Sequence, residues 1–433
     1  MTRLSVRGFV DPRNAHAPQN HAHEPRSGRV SGCYSDSRDS IGRATCMVIR
    51  TFLVLAALTF PPSPGWAAGG PDLARLAERF QAELDRLRGE AGFPGATAAF
   101  ILADGRCFSC ATGYADQEDK VRMRPDARMP AGSVGKTFVA AVALSLAQEG
   151  RLGLDDKIDK WLGKEDWFSR LPNGREITLR MLLTHSSGLT DHVYDPRFVQ
   201  AVARQAALRD RDPDFYFTPR QLVEFVLDKP PLFAPGKGYS YSDTGYILAG
   251  MIIERATGST YYEQLRKRFL LPLKLRLTVP ADHREIPGLA SGYMSPNNPL
   301  GLPAKTVADG KMVFNPASEW TGGGLASNPR DLVRWAKELY EGRVMAKPYL
   351  DELLTSGATD RTGKTRYGLG VSIRETEFGT AYGHGGWFPG YVTAMAYWPR
   401  HKVAVAAQIN TDVNPDAAAY FDTLAKVVLL DSP

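Results

Sequence analysis

The order of patterns along the chain predicts an α+β fold, an antiparallel sheet flanked by N- and C-terminal helices and interrupted by an all-helical insertion over about residues 140–300. Three observations predict it. Two short strands around Asp104-Gly105 make an early hairpin. The block from 140 to 300 carries helix start and stop signals. Four strand-like runs return only late, followed by one apolar helix. An early hairpin and a late set of strands are both satisfied by pairing in one sheet, which makes the block between them an insertion. Clefts form where two such parts meet, so the active site is expected at their junction.

Before the hairpin the chain has three parts. Residues 1–46 are rich in Arg, His, Ser, Gly and Pro and have no apolar period, so they read as disordered or as sequence upstream of the true start. From Met47 the run "MVIRTFLVLAALTFPPSPGWAAGG" passes from basic Arg50 through an apolar core, Thr51 to Phe60, to small residues at Gly65, Ala67 and Ala68. That is the order of a secretory signal peptide over 47–68. Its apolar core is about half the roughly 20 residues needed to span a bilayer, so the mature form, 69–433, is expected to be secreted or periplasmic with no stable membrane span. The helix "DLARLAERFQAELDRLRGE" follows, with Leu73, Leu76, Phe80, Leu84 and Leu87 at helical spacing.

Charge excludes one class of partner. The formal net charge is +6, but residues 1–50 hold eight Arg against four acids, +4, which leaves +2 for the rest. A near-neutral body gives no electrostatic case for nucleic acid. Past the hairpin turn, Cys107 and Cys110 fall in "GRCFSCATGY", which reads as a strand, where positions i and i+3 face opposite sides. They read as small apolar fillers, and no second C-x-x-C completes a zinc site.

Within the insertion, Thr178 caps "LRMLLTH", Thr218 caps "PRQLVEFVLD", and "YILAGMIIERATG" ends at Gly258. The late strands are "RYGLGVSI", "TAYGHGG", "GYVTAMAYWP" and "HKVAVAAQIN", and the last helix spans roughly Pro415 to Leu430.

The chemistry is concentrated first in "PAGSVGKTFVAAVALSLAQEG", Pro130 to Gly150. A phosphate loop needs Gly at the position of Pro130 and a buried strand ahead of it, and "VRMRPDARMP" supplies neither. A nucleophile elbow at Ala131-x-Ser133-x-Gly135 lacks the same strand. Ser133 and Lys136 stand at i and i+3, on one face of a helix that is apolar almost all round, hence buried and rigid. A Ser hydroxyl needs a base, a largely desolvated Lys can lose its charge to serve as one, and the Ser133 N–H at a helix start is free to meet an oxyanion.

S-x-x-K alone is too common to decide anything. It is joined by "PGKGYSYSDTGYILAG" with Tyr241 and Asp243, "GHGGWFPGY" with His384, Gly385 and Gly386, "ITLRMLLTHSSGL", and "GGGLASNPRDLVRW". In this order and spacing, over nearly all of residues 75–430, the set resembles the serine β-lactamase and penicillin-binding-protein superfamily. The resemblance is closest to the branch of class C β-lactamases, D-alanyl-D-alanine carboxypeptidases, D-aminopeptidases and related esterases. It implies a β-lactamase/transpeptidase-like fold with Ser133 as acylated nucleophile, Lys136 as its partner and Tyr241, in a Y-x-N position, as proton shuttle. His384, Gly385 and Gly386 then line the cleft, His384 to bind a substrate carboxylate or tune Tyr241, and Trp387 supplies the second oxyanion N–H. No metal and no organic cofactor is implied.

Two departures matter. The usual Asn is Asp243, an ionisable group able to pair with Lys136, hold it charged and shift base duty to Tyr241. The third motif begins with His rather than Lys, which favours peptide or ester cleavage over antibiotic hydrolysis. His185 reads as a helix-end histidine bonded to backbone, and a triad of Ser133, His384 and an acid stays open as a second arrangement. The expectation is an exported serine hydrolase forming an acyl-enzyme on a small-molecule or peptidoglycan-derived substrate, D-Ala-D-Ala carboxypeptidase-like or esterase-like. The alternative is a catalytically weak penicillin- or peptidoglycan-binding protein on the same fold.

Overall fold

A computed structural model describes residues 71–431 apart from 209–210, 356–357, 360–364 and 414–415. The expected upstream segment 1–46 and signal peptide 47–68 lie outside the described residues.

Helix α1 (Pro71–Ala91) leads into β1 (Gly95–Ile101) and β2 (Cys107–Asp116), joined through the Asp104-Gly105 turn with Gly105 at φ 87°, and then β3 (Val121–Arg122). The helical block comprises α2 (Gly135–Gln148), α3 (Leu179–Leu183), α4 (Pro196–Leu208), α5 (Pro219–Glu224) and α6 (Asp243–Thr257), with shorter turns between. After α7 (Pro329–Tyr340) the strands β4 (Ala358–Thr359), β5 (Thr365–Tyr367), β6 (Ser372–Thr376), β7 (Gly379–Phe388), β8 (Tyr391–Trp398) and β9 (Val403–Ile409) precede α8 (Ala417–Leu429).

The early hairpin and the late strands form one antiparallel nine-stranded sheet, ordered β3-β2-β1-β9-β8-β7-β6-β5-β4. β9 is buried along its whole length and divides its side chains between two cores, as the period of a strand requires. Val403, Val405, Ala407 and Ile409 meet Phe80 of α1 and Phe421 of α8, while Ala404 and Ala406 join Phe138 and Trp335 on the opposite face.

The predicted caps hold. Thr178 accepts from the Met181 N–H at 3.3 Å, Thr218 and Gln221 form a reciprocal capping box, and α6 ends on Gly258 at φ 68°. Two expectations are corrected. "RYGLGVSI" is not one strand but β5 and β6 around a turn, with the Gly368 N–H donating to Val371 O at 2.8 Å and Gly370 at φ 69°. That turn presses on α2, where a Cβ at Gly370 would stand 2.7 Å from Lys136 O. The helical block also ends earlier than predicted. Its last helical turn is Arg266–Leu270, and the chain then runs as loop with two-residue strands up to the short helical turns Pro316–Ser318 and Trp320–Gly323.

Candidate active site

The turn that carries Ser133 is set by a small three-stranded sheet, in which Met129–Pro130 pairs with Leu325–Ser327, which pairs in turn with Val279–Pro280. The Ala131 N–H donates to Leu325 O at 2.7 Å, Gly132 takes φ 51°, and a single 3-10 turn, Gly132–Val134, runs straight into α2. α2 is buried almost all round. Phe138 stacks on Trp335 of α7 with centroids 4.0 Å apart, and the Trp335 indole N–H donates to Thr137 Oγ1 at 2.8 Å. A platform packed on every side fixes the residues at its start.

Ser133 is half-buried, and Lys136 is fully buried behind it with Nζ 2.9 Å from Ser133 Oγ. The same ammonium meets Gly322 O and Asp243 Oδ1. Two hydrogen bonds, to Ser133 and Gly322, and the ion pair with Asp243 thus engage the ammonium and favour the charged form of Lys136. Burial alone would lower the Lys136 pKa, but the charges of Asp243 and Glu319 outweigh it and hold the pKa above the ordinary lysine value.

Tyr241 and Asp243 stand at the start of α6, positioned by the segment after α3. His185, at φ 57°, accepts the Ser242 N–H on Nδ1 at 3.1 Å, and Asp191 Oδ2 accepts the Asp243 N–H at 3.1 Å. His185 is therefore backbone-bonded as expected, and its Nε2 carries the proton, buried with no hydrogen-bond partner among the described residues. Its ring lies 4.0 Å from that of Tyr241, and Lys136 Nζ lies 5.0 Å from the centre of the same ring. The Tyr241 hydroxyl is buried beside Ser133 but closes no well-formed hydrogen bond. Burial, then the negative charge of Asp243, keeps it a neutral phenol.

The opposite wall is β7. It pairs with β6 only up to Gly383 and with β8 as far as Phe388, so from His384 onward one edge is left free of strand partners and faces the Ser133 turn. Gly386 permits the approach, since a Cβ there would fall 2.0 Å from Ala131 O and 3.2 Å from Ser133 N. A Cβ at Gly132 would meet Trp387 N at 2.8 Å, so the backbones of Ser133 and Trp387 run side by side, while the Trp387 side chain is 41% exposed. His384 is buried. Its Nδ1 meets Gly385 O, and its Nε2 is 2.8 Å from Tyr367 Oη. The carbonyl demands an Nδ1–H, so Nε2 accepts the tyrosine proton and both ring nitrogens are occupied. Burial, reinforced by Lys136, lowers the His384 pKa to about 4 and keeps the ring neutral.

The structure thus brings together Ser133, Lys136, Tyr241, Asp243, His384, Gly385, Gly386 and the Trp387 backbone. Three further residues escaped the sequence reading. Tyr367 orients His384. Asp191 and Glu319 face the Lys136–Asp243 pair, and burial together with the charge of Asp243 raises their carboxyls to about 7 and about 8. Asp191 closes the "THSSGLTD" run and Glu319 lies three residues ahead of the Gly322 glycines, so both adjoin segments already singled out. Cys107 and Cys110 are free thiols of β2, half-buried and buried respectively.

An α+β fold with a serine and a lysine joined at the start of a buried helix, facing a glycine-rich strand, defines a serine hydrolase of the active-site-serine type. The chain belongs to the Beta-lactamase family, whose family model matches residues 73–429. It is similar to penicillin-binding protein 4* of Bacillus subtilis, 24% identical over 74% of this chain and 69% of that one. It is also similar to the D-aminopeptidase of Brucella anthropi, 25% identical over 76% of this chain and 58% of the relative. Among solved structures, the D-stereospecific amidohydrolase of a Streptomyces species matches with a TM-score of 0.69 and 29% identity, covering 82% of this chain and 98% of that one. The D-amino acid amidase of Ochrobactrum anthropi SV3 matches at 0.66 and 27%, covering 81% and 96%.

Proposed function

We propose that the protein is an exported serine acyl-hydrolase that forms a covalent intermediate on Ser133 and cleaves peptide, amide or ester bonds. The observation that carries the reading is the 2.9 Å contact between Ser133 Oγ and Lys136 Nζ at the start of a buried helix. Ser133 Oγ attacks the substrate carbonyl carbon. Its proton passes through the neutral Tyr241 hydroxyl to the leaving nitrogen or oxygen, while Lys136, held charged by Asp243, stabilises the forming alkoxide. The N–H groups of Ser133 and Trp387 receive the oxyanion. Loss of the leaving group gives the ester on Ser133, and a water molecule activated through Tyr241 returns the free enzyme and the carboxylic acid. The free edge of β7 offers main-chain hydrogen bonds to an extended substrate.

Intact-mass analysis after brief exposure to 4-nitrophenyl butyrate and to a labelled penicillin tests the reading. Ser133→Ala is expected to lose both the adduct and the hydrolysis. Hydrolysis at the parent rate would remove Ser133 from its role. The Lys136 ammonium, held charged by its ion pair with Asp243, supports a second reading, a binding protein that acylates and then turns over slowly. A stable adduct with no product release on the timescale of minutes would favour it.

Export rests on the pattern of residues 47–68, and among the described residues no helix is long and apolar enough to cross a membrane. A secreted product starting near Ala68 or Gly69 is the matching observation.

A further inference from the structure

His185 occupies a backbone position that glycine usually fills. α3 ends in a Schellman motif, in which the Ser186 N–H reaches back to Met181 O at 2.9 Å and the His185 N–H to Leu182 O at 3.3 Å. His185 is its left-handed residue, at φ 57°. A residue with a Cβ is disfavoured there, and glycine or asparagine is the common choice. The imidazole carried by this position is 1% exposed and lies among the rings of Tyr239, Tyr241, Tyr246 and Tyr367, with centroids 4.0 to 6.0 Å away. A side chain kept at a disfavoured backbone beside a reacting centre points to a function.

Its contacts converge on one residue. His185 O accepts the Ser240 N–H at 3.0 Å and His185 Nδ1 accepts the Ser242 N–H at 3.1 Å, so the amides on either side of Tyr241 are both held by His185. Its ring stands 4.0 Å from that of Tyr241 at an interplanar angle of 35°. Nδ1 accepts only while the ring is neutral, and burial, then the charge of Lys136, pushes the His185 pKa well below the ordinary value. The tip of Tyr241 is not held in this way, since its buried hydroxyl closes no well-formed hydrogen bond. Where that hydroxyl stands relative to Ser133 is therefore decided at the base and face of the phenol. A displacement of about 1 Å in such a group can cost about 10²-fold in rate.

We infer that His185 is a positioning residue for Tyr241, its Nδ1 fixing the Ser242 amide so that the phenol can pass a proton from Ser133 to the leaving group. The inference rests on the serine acyl-hydrolase reading with Tyr241 as its proton shuttle. As the C–O bond of an alkyl ester breaks, Tyr241 Oη gives its proton to the departing oxygen and takes the one from Ser133, so that a neutral alcohol leaves. 4-Nitrophenolate leaves as the anion, and the Ser133 proton passes to solvent. A displaced Tyr241 slows the alkyl ester far more than the nitrophenyl ester, whereas a loosened fold slows both alike.

The test measures kcat/KM for methyl butyrate and for 4-nitrophenyl butyrate, which give the same butyryl-enzyme, and takes their ratio. Tyr241→Phe sets the scale. His185→Gly, which suits the left-handed backbone and removes the side chain, is expected to lower the methyl-to-nitrophenyl ratio at least tenfold. His185→Asn, which suits the same backbone and returns an acceptor oxygen in place of Nδ1, is expected to bring the ratio to within about threefold of the parent. Thermal melts check the fold, and His185→Leu, which fills the volume without an acceptor, replaces the glycine variant if that variant melts below the assay temperature. A ratio unchanged in a folded His185→Gly variant, or a folded His185→Asn variant as impaired as His185→Gly, would overturn the inference. If Tyr241→Phe leaves the ratio unchanged, the shuttle falls and this inference with it. If Ser133→Ala hydrolyses 4-nitrophenyl butyrate at the parent rate, it is the acyl-hydrolase reading that falls.

Discussion

The two walls of the cleft are built on opposite principles. On the β7 side every polar group of His384 is satisfied within the protein, the ring is neutral, and glycines bring the bare strand edge up to the Ser133 turn. On the α6 side a buried ammonium is ion-paired with Asp243, the carboxyls of Asp191 and Glu319 lie within the field of that pair, and the Tyr241 hydroxyl is left open. One wall offers a rigid backbone ledge and the other a buried ion pair. A ledge of main-chain groups can pair with any extended acyl donor, whereas a charged wall acts on the reacting atoms, so the two walls answer to different substitutions.

The contrast is broken most severely at Lys136, the cation paired with Asp243. Lys136→Met leaves Asp243 in a buried site without its partner, a change that typically costs about 3–5 kcal/mol. It also strips the alkoxide of its nearest charge. Single-turnover acylation with 4-nitrophenyl butyrate is expected to fall by about 10³-fold or more, and chemical unfolding to report the lost stability. Acylation within tenfold of the parent would mean that the charged wall does not act on Ser133.

Asp243→Asn is a gentler change at the same place, nearly isosteric and with an acceptor oxygen retained. Asp243 is one of the charges that raise the Lys136 pKa against the effect of burial. Removing it lowers that pKa, so the neutral amine appears at lower pH, and the alkaline limb of the acylation profile, which falls as Lys136 loses its charge, moves to lower pH. A shift of one unit corresponds to about 1.4 kcal/mol and is resolved in a profile of kcat/KM against pH. Superimposable profiles would mean that Asp243 does not tune Lys136.

The difference between the walls was unevenly legible in the sequence. Segments with local signals read correctly. The Asp104-Gly105 turn and the caps at Thr178 and Thr218 each announce themselves within a few residues, and the motifs around Ser133, Tyr241 and His384 carry the family resemblance that the family match bears out. The pairing of β1 with β9 follows from topology, because a lone hairpin and a late strand set must share an edge. What stayed hidden depends on distant packing. Glu319 and Asp191 are ordinary acids in their own segments and acquire meaning only where the chain stacks them against Asp243. Tyr367 fell inside a run read as a single strand, and the turn at Gly368–Gly370 is what presents it to His384.

Tyr367 also gives the mildest and most discriminating change, because it tests whether the β7 wall is only a ledge. Its hydroxyl donates to His384 Nε2 at 2.8 Å, in a site where both residues are buried. Tyr367→Phe keeps the ring and its 4.7 Å contact with His185 but leaves the imidazole nitrogen without a donor, which costs about 1–3 kcal/mol when no water replaces it. If His384 serves only to hold the strand edge, unfolding should report this loss while kcat for 4-nitrophenyl butyrate stays within about threefold of the parent. The opposite result, a tenfold fall or rise in kcat with stability unchanged, would mean that the His384 lone pair takes part in proton transfer. The triad of Ser133, His384 and an acid would then replace the Lys136–Tyr241 pair as the description of this site. The separation is sharp because His384 can accept a proton from Ser133 only on the nitrogen that Tyr367 now occupies.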